Sequence, residues 1–287
     1  MNERFGVPFA PQSLAALADR FGGELRQATG TVGRMATPSK GSALDLVPLL
    51  SPKYVKIAEG AQRRGATLLI DASIAESSHL AGWVHPRASW VMAEVLRSFA
   101  SPVLPPPVID PTAIIGANVV IHDGVVVGAR VVIGAGSVIG APGFGWTEGE
   151  NGSAIAVPQL GGVVIEDDVH VGPLCTIASG TLAPTIVGRG TKLDAQVHLG
   201  HNVVIGEHVI VAAQSGFAGS VTVGRGARIG GQVGIADHVT IGAFAKIAAK
   251  SGVIGDVPEG AVVAGYPAVP RLRWLRGLAT LYRGAKR

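Results

Sequence analysis

VHLGHNVVIGEHVIVAAQSGFAGSVTVG, residues 197–224, places a large apolar residue at every sixth position: Leu199, Ile205, Val211, Phe217 and Val223. A step of six is neither the roughly 3.6-residue period of an α-helix nor the alternation of a simple strand. The step extends upstream to Leu193 and Val187, and downstream through Ile229, Ile235, Ile241, Ile247 and Val253. An earlier run holds Ile109, Ile115, Ile121, Val127, Ile133 and Ile139. It resumes at Ile165, Val171 and Ile177 before a four-residue shift of phase. This is the hexapeptide period of a parallel β-helix, with one short strand and a corner per repeat and about 18 residues per triangular coil. The aliphatic residue is expected to face into the prism. A Gly after it, as at Gly116, Gly128, Gly134 and Gly140, is expected to ease the corner.

Composition agrees. The chain has 41 Gly in 287 residues and 5% aromatic residues, which suits tight turns and small branched strands better than a helical globule. Net charge is +4, and residues 271–287, RLRWLRGLATLYRGAKR, hold six cations and no acid. Such a tail is either a solvated helix end or a surface for an acidic partner. Cys175 is the single cysteine, so an intrachain disulfide is excluded and a reducing compartment is expected. No signal-peptide pattern and no apolar run of roughly 18 residues is read. The expected location is cytoplasmic, with no integral membrane segment and no nucleic-acid partner.

Residues 1–100 lack the period and read as a small α/β domain. PQSLAALADRFGGEL suggests a short amphipathic helix ended by Gly22-Gly23, and SPKYVKIAEGAQRRG a helix with Ser51 as N-cap and Pro52 in its first turn. ATLLIDAS reads as a buried strand and PRASWVMAEVLRSFA as another helix. Residues 101–108 form a proline-rich linker, and 109–268 the β-helix. The β-helix is interrupted by a glycine-rich loop insertion at 141–162, of a kind that often carries function. Residues 269–287 read as a C-terminal helix and basic tail.

With coils of about 18 residues, the histidines can be placed. Leu199 points inward, which puts His201 on the same prism side and His198 at the preceding corner. Gly219 falls one coil above His201. His238 falls two coils and one residue beyond it, roughly 10 Å along the axis. His208 belongs to the next side. An imidazole base beside a backbone N–H exposed by Gly is what acyl transfer to an amine requires. The bland alternative is that solenoid surfaces carry histidines at random. A zinc site is a further alternative, but His198 and His201 lack a third ligand near them, and no metal is expected. A sugar-nucleotide pyrophosphorylase lacks its phosphate loop here.

The residues that carry this line also carry a family resemblance. IDPTAIIGANVVI, GAPGFGW with the later VPQLGGVVI, LDAQVHLGHNVVIG, AAQSGFAGS, GGQVGIADHVTIG and DVPEGAVVAGYPA resemble, in order, segments of the UDP-3-O-acylglucosamine N-acyltransferases of lipid A biosynthesis. The resemblance implies a left-handed parallel β-helix, a homotrimer, and an N-terminal uridine-binding domain. It also implies transfer of a 3-hydroxyacyl group from acyl carrier protein to the 2-amine of a nucleotide sugar. No cofactor is implied beyond the phosphopantetheine of that carrier. His201 matches the general base of the family's His-Asn motif, Gly219 the oxyanion donor and His238 the second active-site histidine, while Asn202 and Asp194 fall on matching positions. Phe144 and Trp146 are candidates for the acyl or pantetheine path. The usual Asp-Arg-Gly is Ala178-Ser179-Gly180 here. The uracil segment reads Pro48-Leu49-Leu50-Ser51-Pro52-Lys53-Tyr54, which keeps Tyr54 as a stacking ring. His198 is closer to the pattern of the O-acyltransferase of the same pathway. Two other readings stay open: a paralogue acting on another amino sugar, and a non-catalytic trimeric sugar-nucleotide-binding scaffold.

Overall fold

The computed structural model describes residues 6–101 and 103–284. Pro102 of the linker and residues 285–287 of the basic tail lie outside the described residues. The chain divides into two compact units. The first comprises residues 6–104, 144–161 and 181–184, and the second comprises 105–143, 162–180 and the chain from 185 onward.

The first unit is α/β. Its six-stranded sheet runs in the order Gly6–Ser13, Thr31–Ala36, Asp45–Leu49, Thr67–Asp71, Gly82–His85, Glu24–Arg26. The four central strands are parallel and the two edges antiparallel. Both sides of Asp45–Leu49 are buried, as a continuous apolar run in a parallel sheet requires. Helices Leu14–Phe21, Val55–Arg63 and Ala88–Phe99 pack on this sheet. The Ser13 side chain accepts from Ala16 N, and Gly22 ends the helix at φ 82°, where a residue without Cβ is least strained. Ser51 accepts from Lys53 N ahead of the turn Pro52–Tyr54, as its N-cap reading requires.

One buried charge bears on stability. Asp45 is 1% exposed. Its carboxylate accepts two 2.7 Å bonds from Arg34 and the Ser42 N–H at 2.8 Å. Asp45→Ala leaves that N–H without its acceptor and is expected to destabilise the unit by about 2–4 kcal/mol. Urea unfolding followed by tryptophan fluorescence reads this loss. A change below about 0.5 kcal/mol would show the pair to be idle.

The insertion is not a bare solenoid loop. Trp146–Glu148 pairs antiparallel with Ala154–Ala156, and Val157 and Leu182 enter the same apolar cluster as Met35, Leu46, Leu69 and Trp83. Thr147 Oγ1 lies 2.7 Å from Ser89 Oγ. Burial of these aliphatic groups, together with hairpin pairing, assigns residues 144–161 to the first unit.

The second unit is the parallel β-helix. Among the described residues its strands form sheets of seven, nine and seven. Most strands are two residues long, and each pairs in register with the next coil: His198 with Gly216 and Leu199 with Phe217, then Gly216 with Gly234 and Phe217 with Ile235. The inward residues from Val187 to Val253 are at most 4% exposed. Each contributes about 1.5–3 kcal/mol by leaving water, so the stacked columns are the core. The C-terminal helix Arg271–Gly284 follows strand Val269–Pro270. No described helix is long and apolar enough to cross a membrane.

Two local expectations need correction. Most of the short strands end on their inward residue rather than starting from it, so His198 lies on the strand His198–Leu199 while His201 and Asn202 make the corner. The glycine after the inward residue also has a different role. The left-handed corner position is taken by Asn202, His208, Gln214, Ser220, Gln232 and His238, with φ between 56° and 62°. Asn and His tolerate that region better than most residues. The glycine is demanded by close approach instead: a Cβ at Gly206 would meet Arg225 N at 2.8 Å on the next coil.

Candidate active site

The corner at residues 200–203 is built by its neighbours in the stack. Thr185, fully buried on the preceding coil, accepts the Asn202 N–H at 3.0 Å through Oγ1. The His201 carbonyl accepts the Ser220 N–H from the coil above at 2.8 Å, and Gly219 O accepts the His238 N–H at 3.0 Å. These bonds join Thr185, Asn202, His201, Ser220, Gly219 and His238 into one column of corners.

His201 is half-buried between two glycines. A Cβ on Gly143 would lie 2.5 Å from His201 Cβ, and one on Gly219 would lie 2.6 Å from both Cε1 and Nε2. Real Cβ contacts are not that short, so neither position accepts a side chain while the ring stays in place. Ser220 N and Gly219 O are engaged, whereas the Gly219 N–H has no hydrogen-bond acceptor among the described residues. A free N–H therefore sits beside an imidazole.

Burial lowers the His201 pKa from the usual imidazole value, and the nearby His238 lowers it further. The neutral ring is thereby favoured near neutral pH. Nδ1 lies 3.1 Å from the Asn202 side-chain amide nitrogen. Amide N and O exchange by a half-turn of the side chain. With Oδ1 turned inward, Asn202 accepts Nδ1–H and leaves Nε2 bare, the tautomer a base needs.

Within the second unit the structure brings His201, Asn202, Gly219 and His238 together. Asp194 is exposed directly after strand Lys192–Leu193, where its carboxylate accepts the Ala195 N–H at 2.8 Å. His208 is exposed at the next corner. Tyr54, Phe144 and Trp146 belong to the first unit. Tyr54 is half-buried there, with its phenol pKa raised by burial. Phe144 and Trp146 are 88% and 53% exposed and meet edge to face, with ring centroids 6.1 Å apart. His198 points out of its strand, with Nδ1 2.7 Å from Thr176 Oγ1 on the coil below. Ser179, in the altered Ala178-Ser179-Gly180 segment, is buried and accepts the Gly162 N–H at 3.0 Å. No group of three His, Cys, Asp or Glu suited to a metal occurs among the described residues. Sequence reading missed Thr185, Thr176 and the role of Gly143. The only local signal for Gly143 was its place in GAPGFGW.

Comparison with known proteins gives this corner a context. The bacterial transferase hexapeptide family model matches residues 106–141 and 184–219. The chain is related to proteins named UDP-3-O-acylglucosamine N-acyltransferase. That of Methylobacterium sp. strain 4-46 is 44% identical over 145 residues, 50% of this chain and 41% of the relative. That of Leptospira biflexa serovar Patoc is 52% identical over 79 residues, 28% of this chain and 22% of the relative. The matched stretch thus spans less than half the length of these relatives. Among solved structures, the UDP-N-acetylglucosamine acyltransferase of Campylobacter jejuni is similar at 23% identity and a TM-score of 0.46. That similarity covers 62% of this chain and 84% of that one.

Proposed function

We propose that the protein transfers a 3-hydroxyacyl group from the phosphopantetheine of acyl carrier protein to the 2-amine of UDP-3-O-(3-hydroxyacyl)glucosamine, with His201 as general base. The observation that carries this reading is the imidazole held against Gly219, whose N–H is unengaged. The relatives' names supply the acceptor class. No cofactor is required, because the donor brings its own thioester.

His201 Nε2 takes a proton from the amine as its nitrogen attacks the thioester carbonyl carbon. The oxygen becomes an oxyanion and accepts the Gly219 N–H. Collapse of the adduct forms the amide and breaks the C–S bond. The leaving thiolate takes the proton back from the imidazolium. Asn202 holds the base tautomer and His238 faces an anionic group of donor or acceptor. The exposed Arg271, Arg273, Arg276 and Arg283 offer charge opposite to that of an acidic carrier protein. The homotrimer and the cytoplasmic location implied by the resemblance belong to the same proposal. Tyr54, Phe144 and Trp146 carry no step of it.

A second reading, N-acyl transfer to another amino sugar, is favoured by one observation. Pro48-Leu49-Leu50 stands where the resemblance implies an aromatic ring and Ser51 directly precedes Pro52, with no Asn between. Release of free thiol from 3-hydroxyacyl carrier protein, measured against a panel of amino-sugar acceptors, tests both. Release only with the UDP-linked amine supports the first reading, and release only with another amine supports the second. No acceptor-dependent release would refute acyl transfer.

The pH dependence follows from the lowered His201 pKa. The active form is the neutral ring, so activity is full above that pKa and falls as pH drops through it. The acid limb of kcat/KM is expected below the ordinary imidazole value of about 6.5. His238→Gln removes the neighbour that helps lower the His201 pKa and is expected to move that limb to higher pH. An unmoved limb would dissociate the two histidines.

A further inference from the structure

We propose that Thr185 is a positioning residue for acyl transfer, its buried hydroxyl standing in for a rung of the corner ladder and so fixing where Asn202 and His201 stand. The proposal rests on the acyl-transfer reading and deepens it. In the regular part of the β-helix the left-handed corner residues are held in one way. Each N–H donates to the carbonyl of the residue nineteen places earlier, at the corner one coil below. His208 donates to Arg189, Ser220 to His201 and Lys250 to Gly231, at 2.8–2.9 Å. Asn202 shares their conformation, with φ 59°, but its N–H meets Thr185 Oγ1 at 3.0 Å. The reason lies in the coil below. His198 pairs with Thr176 and Leu199 with Ile177, whereas Val204 pairs with Ile186, so the four-residue shift of phase falls within this corner. The lower strand runs on through Ser179 instead of turning after Ile177, and residues 181–184 belong to the first unit. Where a regular corner offers a carbonyl, Thr185, the first residue back in the solenoid, offers a hydroxyl.

Hydroxyls support other corners as well. Thr112 Oγ1 accepts the Arg130 N–H at 2.9 Å, and the buried Thr191 accepts the Val209 N–H at 3.1 Å. What distinguishes Thr185 is the load its corner carries. The Asn202 amide lies 3.1 Å from His201 Nδ1, and the His201 ring stands against Gly219. From above, the corner is pinned by the Ser220 N–H on the His201 carbonyl; from below, it is pinned by Thr185. A tilt of the peptide between His201 and Asn202 moves the amide and the ring together, away from the N–H that receives the oxyanion. Thr185 is fully buried, so loss of its oxygen leaves a donor that the corner must shift to satisfy.

The test measures kcat/KM for N-acyl transfer and thermal unfolding in Thr185→Val, Thr185→Ser and Thr191→Val, and repeats Thr185→Val in a His201→Ala background. Valine keeps the shape of threonine and removes the acceptor. It should lower kcat/KM by about 10–100-fold, the scale of a small misplacement of a reacting group, with the loss in kcat rather than KM. Thr185→Ala, a second variant without the acceptor, should do the same and replaces valine if that variant fails to fold. Thr185→Ser keeps the hydroxyl and should stay within about threefold of the wild type. Thr191→Val removes a buried hydroxyl from a corner outside the site, and should lose stability with near-wild-type kinetics. In the His201→Ala background the further loss should be less than about threefold, because a residue acting through the base has nothing left to position. Wild-type kcat/KM in the variants without the acceptor overturns the proposal. So does an equal loss in both backgrounds, which marks a general structural role, or a serine variant as impaired as valine. These outcomes are read with an active wild type. A wild type that transfers no acyl group to an amine overturns the acyl-transfer reading, and this proposal with it.

Discussion

His201→Ala is expected to lower kcat/KM for N-acyl transfer by about 10²–10⁴-fold while leaving the β-helix folded. The loss follows from removal of the group that takes the amine proton, since the protonated amine of the adduct otherwise expels itself. The fold should survive because His201 lies at a corner, outside the inward columns. Its one backbone contribution, the carbonyl that accepts Ser220 N–H, is unchanged by the substitution. The check is steady-state kinetics alongside thermal unfolding. A variant with wild-type stability and a near-wild-type rate removes His201 from the mechanism. Low stability would instead trace the loss to structure.

Gly219→Ala is expected to lower kcat/KM by about 10²–10³-fold, the scale of a lost oxyanion donor, although the N–H itself remains. The new methyl would fall 2.6 Å from His201 Nε2 and Cε1, so the ring must leave its place or the N–H must tilt away. Either motion separates base from donor. The φ of Gly219 is not among the positive values, so Ala meets no backbone penalty and stability should change little. Gly143→Ala presses on the same ring from the other side and should act in the same direction. Gly255→Ala, where an added Cβ meets nothing within 4 Å, serves as the control. A Gly219→Ala enzyme with normal kinetics would mean that the ring has room to move and that proximity to this N–H is incidental.

The second unit was legible because its core repeats. A residue that must fill the prism every half-dozen positions leaves a mark that no corner substitution erases, and twelve such residues from Val187 to Val253 are buried. The phase within each repeat was less legible. Apolar periodicity marks the inward residue but not which neighbours share its strand, so His198 and His201 were exchanged between strand and corner. The first unit has no repeat to read. Its strand Gly6–Ser13 contains Pro8 and Pro11, and Asp45–Leu49 contains Pro48. Proline speaks against a strand in sequence, but the ladder of the fold leaves those positions without need of a donor. Helix Ala88–Phe99 was read because its apolar residues recur at helical spacing and face the sheet. At the site, His201 and Gly219 were found by counting coils. Gly143 contacts His201 across an interruption in the count, and Thr185 lies just after the shift of phase. No local pattern in the sequence records either contact.

The central claim is acylation of nitrogen, and the bond formed is its most direct record. Purified protein is incubated with 3-hydroxyacyl carrier protein and UDP-3-O-(3-hydroxyacyl)glucosamine, and the product is analysed by mass spectrometry before and after mild alkali. Gain of one 3-hydroxyacyl group that survives alkali while the original ester is cleaved identifies the amide predicted here. A new acyl group lost with the ester would show transfer to oxygen and contradict the account.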